Sequence, residues 1–210
     1  YQRNKLAYVL KYKPKRLKNI DKESLSEAIL MAMLTGQEDG KPNNFMLDPI
    51  PDKPGKLQII PIDNDQAFVP EASDLSPHSR QKGKSSRVQV KSVLFCLDQM
   101  KKPIHPSVVE VLVNLNPEKL IQKWLEILEG VVQKHQALFT DSQIADFWKK
   151  NETYIGIPFQ KGDIQEVYFK LMKMQDLLKL KPYLTHLELL KEVLPFVHHR
   201  YNKIFRDKAL

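Results

Sequence analysis

At 210 residues the chain is long enough to bury a substantial core, as one domain or a domain with an extension. Hydrophobic residues make up 42% and charged residues 28%, which excludes a disordered chain, and no apolar run reaches the length of a bilayer span. The net charge of +8 favours an acidic partner, and the single cysteine, Cys96, excludes an intrachain disulfide framework.

A lone cysteine suits a reducing compartment, so a cytoplasmic location is expected. No signal-peptide pattern opens the chain, and it starts on Tyr1 rather than methionine, so the natural N-terminus is expected upstream. Basic residues cluster from Lys11 to Lys22 and from His78 to Lys91. No zinc-finger spacing, RNA-binding aromatic signature or long basic helix accompanies them, which disfavours nucleic acid as the partner.

In chain order, Leu6, Tyr8, Val9 and Leu10 suffice for a short helix or an edge strand, and Lys11-Tyr12-Lys13-Pro14-Lys15-Arg16 reads as a basic, proline-containing linker, either a solvated connector or a phosphate-facing patch. Asp21-Lys22-Glu23-Ser24 is an N-terminal cap. Leu25, Ala28, Ile29, Ala32 and Met33 then share one helical face as far as Leu34, with Met31 also expected in the core, and Thr35-Gly36 ends the helix. Phe45-Met46-Leu47 and Leu57 to Ile62 read as two short strands, joined by a turn cluster of Pro49, Pro51, Pro54 and Gly55. From Glu71 to Ser86 the apolar period is lost, and a mobile loop is expected. Val90, Val93, Leu94, Leu97 and Met100 mark one helix stopped by Pro103; further helices start at Pro106 and Pro117, and Asp141-Ser142 caps a short one ending near Lys150. Two long helices close the chain, about Lys161 to Leu180 and Thr185 to Asp207.

Chemistry concentrates between the first helix and the end of the predicted hairpin. Phosphoryl transfer needs a group that orients the acceptor hydroxyl and oxygen ligands that hold magnesium against the phosphates. Magnesium keeps several of its waters, so one Asn and one or two Asp are enough. Asp39, Asn44, Asp63 and Asp65 offer that set, and an antiparallel pair of strands would bring Asn44 and Asp63 together. Asp-Gly and Asn-Asn are also ordinary turn formers, so a plain helix exit into a hairpin fits the same letters.

Asp39-Gly40-Lys41-Pro42-Asn43-Asn44 resembles the catalytic loop of protein kinases, and Ile62-Asp63 resembles the Ile-Asp metal motif of the phosphoinositide kinases. The resemblance covers roughly Leu25 to Phe68. It implies a mainly α, α+β fold of the kinase C-lobe type, with a small β-hairpin carrying the metal site, and a divergent, ATP- and magnesium-dependent kinase. In it Asp39 would orient the acceptor hydroxyl, Lys41 would support the transferred phosphate, and Asn44 and Asp63, with Asp65 in place of the family's glycine, would hold magnesium. The stretch 1–70 would carry the catalytic loop and metal motif, 71–87 would be a mobile basic loop at the activation-segment position, and 88–210 the helical remainder of the same domain. Arg80, Lys82, Lys84, Arg87 and Lys91 would then face an anionic acceptor, either a protein or a phosphoinositide. Gln37-Glu38 stands where the family has His-Arg, and no glycine-rich loop precedes Asp39. The nucleotide-clamping lobe is therefore expected from an upstream segment or a second chain. The alternative is a catalytically inactive kinase-like helical scaffold that binds an acidic protein, lipid or nucleic acid.

Other chemistries find less footing. His198 and His199 are adjacent and point in different directions, and His186 lies far from them in sequence, so no zinc site is expected. Cys96 reads as core rather than nucleophile, and Trp124 and Trp148 as packing anchors. There is no nucleophile elbow, Walker loop or dinucleotide fingerprint.

Overall fold

The computed structural model describes residues 4–63, 67–74, 86–143, 145 and 161–207. It is mostly helical, with two small antiparallel strand pairs. The chain forms two compact units, Tyr1–Val113 with Lys173–Leu210, and Asn114–Met172. Among the described residues no helix is long and apolar enough to cross a membrane.

The first unit is built around a helix lying beside a hairpin. Helix α1 covers Leu6–Tyr12 and α2 covers Lys22–Thr35; strands β1, Phe45–Pro49, and β2, Leu57–Pro61, pair antiparallel with Leu47 opposite Ile59 and Phe45 opposite Pro61. Alternate residues of each strand are buried, Phe45 and Leu47 on one and Leu57 and Ile59 on the other, as a two-residue period requires of a sheet with one face on the core. The N-terminus of α2 is fixed to the turn end of the hairpin. Asp21 caps α2 by accepting from the Ser24 amide, its own amide donates to the Leu57 carbonyl at 2.8 Å, and Ser24 Oγ accepts from the Ile59 amide at 3.0 Å. Lys53, in the hairpin turn, reaches back to Asp21 and Glu23. With that end anchored, the C-terminus of α2 is delivered to the open end of the hairpin. Gly36 terminates the helix in the left-handed conformation, φ 58°, where a side chain would cost energy. The chain leaving β2 also returns there, because the Val69 amide donates to the Gly36 carbonyl at 3.2 Å and the Phe68 amide to that of Thr35.

Leu25, Ala28, Ile29, Ala32 and Met33 are buried together, but Met31 is 53% exposed. It lies two positions from Ile29, about 200° around the helix, and so turns away from the core. The expected linker is structured: α1 continues through Lys11 and Tyr12, and a 3-10 helix spans Pro14–Asn19. The expected mobile loop also has ordered ends, since β3, Ala72–Asp74, pairs with β4, Ser86–Val88. Residues 75–85 lie outside the described chain, as does most of the helix expected near Lys150, including Trp148.

Two helix expectations are corrected. The apolar run from Val90 to Met100 forms two 3-10 turns, Val93–Cys96 and Asp98–Lys101, separated by an extended Leu97. Leu94, Leu97 and Met100 are all buried, and their spacing of three matches the three-residue period of that helix better than an α-helix. The C-terminal helix is two, α6 at His186–Val193 and α7 at Pro195–Asp207, preceded by α3, Pro106–Asn114, α4, Pro117–Gln136, and α5, Lys161–Leu180. Pro195 has no amide to donate and its ring crowds the preceding turn, so it starts a helix instead of continuing one. Leu194 accordingly leaves helical geometry, at φ −133° and ψ 72°.

The core of this unit joins Leu6 and Val9 of α1 to the buried faces of α2 and the hairpin, to Leu94, Phe95 and Met100, and to Leu189, Leu190, Val197 and Tyr201. One buried polar contact ties the layers together. His186 Nδ1 lies 2.9 Å from the Lys102 carbonyl, which can only accept, so Nδ1 carries the proton. Nε2 then accepts from Ser26 Oγ at 2.9 Å, and Ser26 in turn accepts from the His105 amide at 3.1 Å. Burial pushes the His186 pKa down, so the ring is neutral in the fold. An unfolded histidine takes up a proton below about pH 6.5, which the folded ring resists. The stability that follows is full above that pH and is lost as pH falls toward the lowered folded value. Denaturant midpoints should therefore drop between pH 7 and pH 5, ahead of carboxylate titration. His186→Asn should be less stable at pH 7 yet flatter across that window, and an unchanged slope would remove His186 as its source.

Candidate functional site

The Asp39 loop is held from behind by the strand-like segment that follows β4. The Lys91 amide donates to the Gln37 carbonyl at 2.7 Å, the Gly40 amide to the Lys91 carbonyl at 3.0 Å, and the Val93 amide to the Gly40 carbonyl at 2.7 Å. Ser92 is fixed in turn, since its amide donates to Tyr201 Oη at 3.2 Å. Gly40 is required by this close approach: a Cβ there would stand 2.5 Å from the Lys91 carbonyl oxygen and 2.7 Å from Ser92 Cα.

Within the loop, Asn44 is buried at 5% exposure and its Nδ2 donates to the Asp39 carbonyl at 2.8 Å and to Asp39 Oδ2 at 3.3 Å. A backbone carbonyl cannot donate, so this bond fixes which way the amide faces and turns Oδ1 away from Asp39. Lys41 Nζ lies 2.5 Å from the same Oδ2. The Lys41 ammonium bonded to it holds the Asp39 carboxyl below the usual carboxylate range, against a smaller opposing effect of burial. Asp39 is thus ionised at neutral pH.

Across the mouth of the hairpin the Ile62 amide donates to the Asn44 carbonyl at 2.9 Å, one rung beyond the Phe45–Pro61 pair. Asn44 and Asp63, separate in sequence, consequently line one open cleft of about 650 Å³. Lys41, Asn43 and Ile62 line it too, and α1 with its N-cap Lys5 contributes Ala7, Tyr8, Lys11 and Tyr12. Asp39 is not itself among the lining side chains; it is bonded to two that are.

Four of the residues singled out from the sequence, Asp39, Lys41, Asn44 and Asp63, therefore lie together. Asp65, Arg80, Lys82 and Lys84 fall outside the described residues. Arg87 is in β4, opposite Ser73. Lys91 belongs to the support of the Asp39 loop: its Nζ is 3.4 Å from Glu38 Oε1. Of the α1 residues, Lys11 and Tyr12 fell in the basic stretch for which a phosphate-facing patch was the alternative to a solvated connector, while Lys5 and Tyr8 were not singled out.

Among the described residues no group of three or more His, Cys, Asp or Glu side chains is placed to hold a metal ion. The residue types present fit magnesium in a more sparing way, as Asn44 and Asp63 both line the cleft and carry oxygen donors, and this ion is content with few protein oxygens and several waters. No family model matches the chain, and neither a search of curated proteins nor one of solved structures finds a similar protein.

The close packing at Gly40 makes a clear prediction. Gly40→Ala drives a methyl group into backbone that cannot swing aside, and overpacking of this kind costs about 1–3 kcal/mol. The thermal midpoint should fall. Hydrogen exchange should rise selectively at the Gly40, Lys91 and Val93 amides, whereas an exchange pattern like that of the wild type would mean that the two segments separate at no cost.

Proposed function

We propose that the protein is a divergent kinase-like phosphotransferase, acting with ATP and magnesium on a protein or phosphoinositide hydroxyl. The observation that carries this reading is the meeting of Asn44 and Asp63 in one cleft, with Lys41 beside them and Asp39 bonded to both Lys41 and Asn44. The resemblance of Asp39 to Asn44 to a kinase catalytic loop agrees with it. Asn44 Oδ1 and the Asp63 carboxylate would hold magnesium, which when bound supplies positive charge against the nucleotide phosphates.

The chain's own groups divide the remaining work. Both side-chain contacts of Asp39 fall on Oδ2, so Oδ1 is the oxygen that an acceptor hydroxyl would meet. A carboxylate with a lowered pKa is a weak base, so Asp39 serves to orient the hydroxyl more than to strip its proton. Lys41, half-exposed at the cleft, combines two tasks: it fixes Asp39 and offers a cation to the phosphate in transfer.

Transfer of radiolabelled phosphate from ATP to protein and phosphoinositide acceptors tests the reading. Asp39→Asn should keep nucleotide affinity while lowering turnover about a hundredfold, the scale on which a misplaced reacting group slows a reaction. Asp63→Ala should abolish the magnesium dependence of nucleotide binding. Full turnover in Asp39→Asn would remove that residue from the mechanism, and an absence of turnover on every acceptor would favour an inactive, binding-only scaffold.

A further inference from the structure

The wall of the cleft contributed by α1 has a composition that metal and phosphate alone do not call for. Tyr8 and Tyr12, one helical turn apart, place their ring centroids 4.9 Å apart with planes tilted by 44°. Lys11 Nζ sits 5.1 Å from the centre of the Tyr12 ring. While the same helix buries Leu6 and Val9 completely, Tyr12 remains 60% exposed beside the cleft. The wall is held in place: Lys5 makes a bridge to Met46 of β1, and α1 packs on β1 and on the Pro42–Asn44 turn. Charge adds a second constraint. Lys5, Lys11 and Lys41 line the space together with Asp63 among the described residues, Lys41 being paired with Asp39, so the lysines favour an anionic ligand.

We propose that α1 is the base-holding wall of a nucleotide site, with a nucleoside polyphosphate lying between the Tyr8 and Tyr12 rings and the Asn44 and Asp63 oxygens. This deepens the phosphotransfer reading and rests on it for the metal end of the ligand. The chemistry selects the class. Aromatic faces stack on a nucleobase irrespective of its sequence identity, and lysines neutralise the phosphates. Inorganic polyphosphate has no π face to meet the tyrosines, and an uncharged aromatic compound has no use for Lys5 and Lys11. A volume of about 650 Å³ lies within the usual range for small-ligand sites. The chain would then carry its own grip on the base, independent of any glycine-rich loop.

Titration calorimetry of the full chain with ATP, adenosine and tripolyphosphate, each with and without magnesium, tests the assignment. Circular dichroism checks that each variant is folded. Tyr12→Ala should weaken ATP about tenfold while leaving tripolyphosphate within about twofold, as expected for loss of one stacking face. Tyr12→Phe should retain ATP affinity, and Lys11→Gln should weaken both ATP and tripolyphosphate. Wild-type ATP affinity in Tyr12→Ala, or tripolyphosphate binding as tightly as ATP to the unaltered chain, would overturn the α1 wall. The metal end is separable through Asp63→Ala. If that variant keeps its magnesium dependence while Tyr12→Ala weakens ATP, the α1 wall stands and the phosphotransfer assignment falls. The reverse pattern overturns the α1 wall alone, and no ATP binding by the unaltered chain overturns both.

Discussion

A buried amide must be bonded, and that requirement at Asn44 organises the site. Asn44 is nearly inaccessible, so its Nδ2 has to find an acceptor within the protein, and the acceptor it finds is the backbone carbonyl of Asp39. The bond closes the six-residue loop on itself. It also decides the chemistry, because an amide that spends its donors on Asp39 presents its oxygen elsewhere. The main-chain groups of Asn44 are used as well, the carbonyl accepting from Ile62 and the amide donating to the Lys41 carbonyl. One residue thereby couples the Asp39 loop to the strand that delivers Asp63.

The position of that coupling is set by α2. Its first turn is tied to the turn end of the hairpin through Asp21, Ser24 and Lys53, and its last turn receives Phe68 and Val69. A fourteen-residue helix rises about 21 Å, comparable to about 17 Å for five residues of strand, so helix and hairpin match in length. Phe68 adopts φ 63° to make its return, a conformation that costs a residue with a side chain of order 1–2 kcal/mol. That expense is offset by satisfying helix-end carbonyls that would otherwise lack partners. Both ends of the motif, Asp39 and Asp63, thus emerge from structure fixed at the same helix terminus.

Much of this was legible in the residues because it depends on neighbours in sequence. The cap at Asp21, the stop at Gly36, the alternation in Phe45 to Leu47 and the Pro/Gly turn after it each act over a few positions. Their order alone places Asn44 beside Asp63. What escaped reading depends on partners distant in the chain. Nothing near Lys91 announces that its backbone will pair with Gln37 and Gly40, or that the bulk of Ser92 and Lys91 leaves no room for a Cβ at Gly40. The Val90 to Met100 run was misread because apolar residues three apart suit both a 3-10 and an α-helix face. Tyr8 and Tyr12 were passed over because Tyr8 was read into a short helix or edge strand and Tyr12 into the linker after it, whereas one helix carries both.

The electrostatics of the cleft lead in one direction. An exposed Lys–Asp pair contributes little to stability, so the pairing of Lys41 with Asp39 is not explained as a support for the fold. Its effect is on the state of the carboxylate, which it keeps ionised and aimed. The same lysine lines a space with Lys5 and Lys11, so a polyanion entering it would meet two lysines besides the one already paired with Asp39. It would also draw a divalent cation toward Asp63 and Asn44, because phosphate oxygens complete the coordination that two protein oxygens begin. Anion and metal would then each favour the binding of the other.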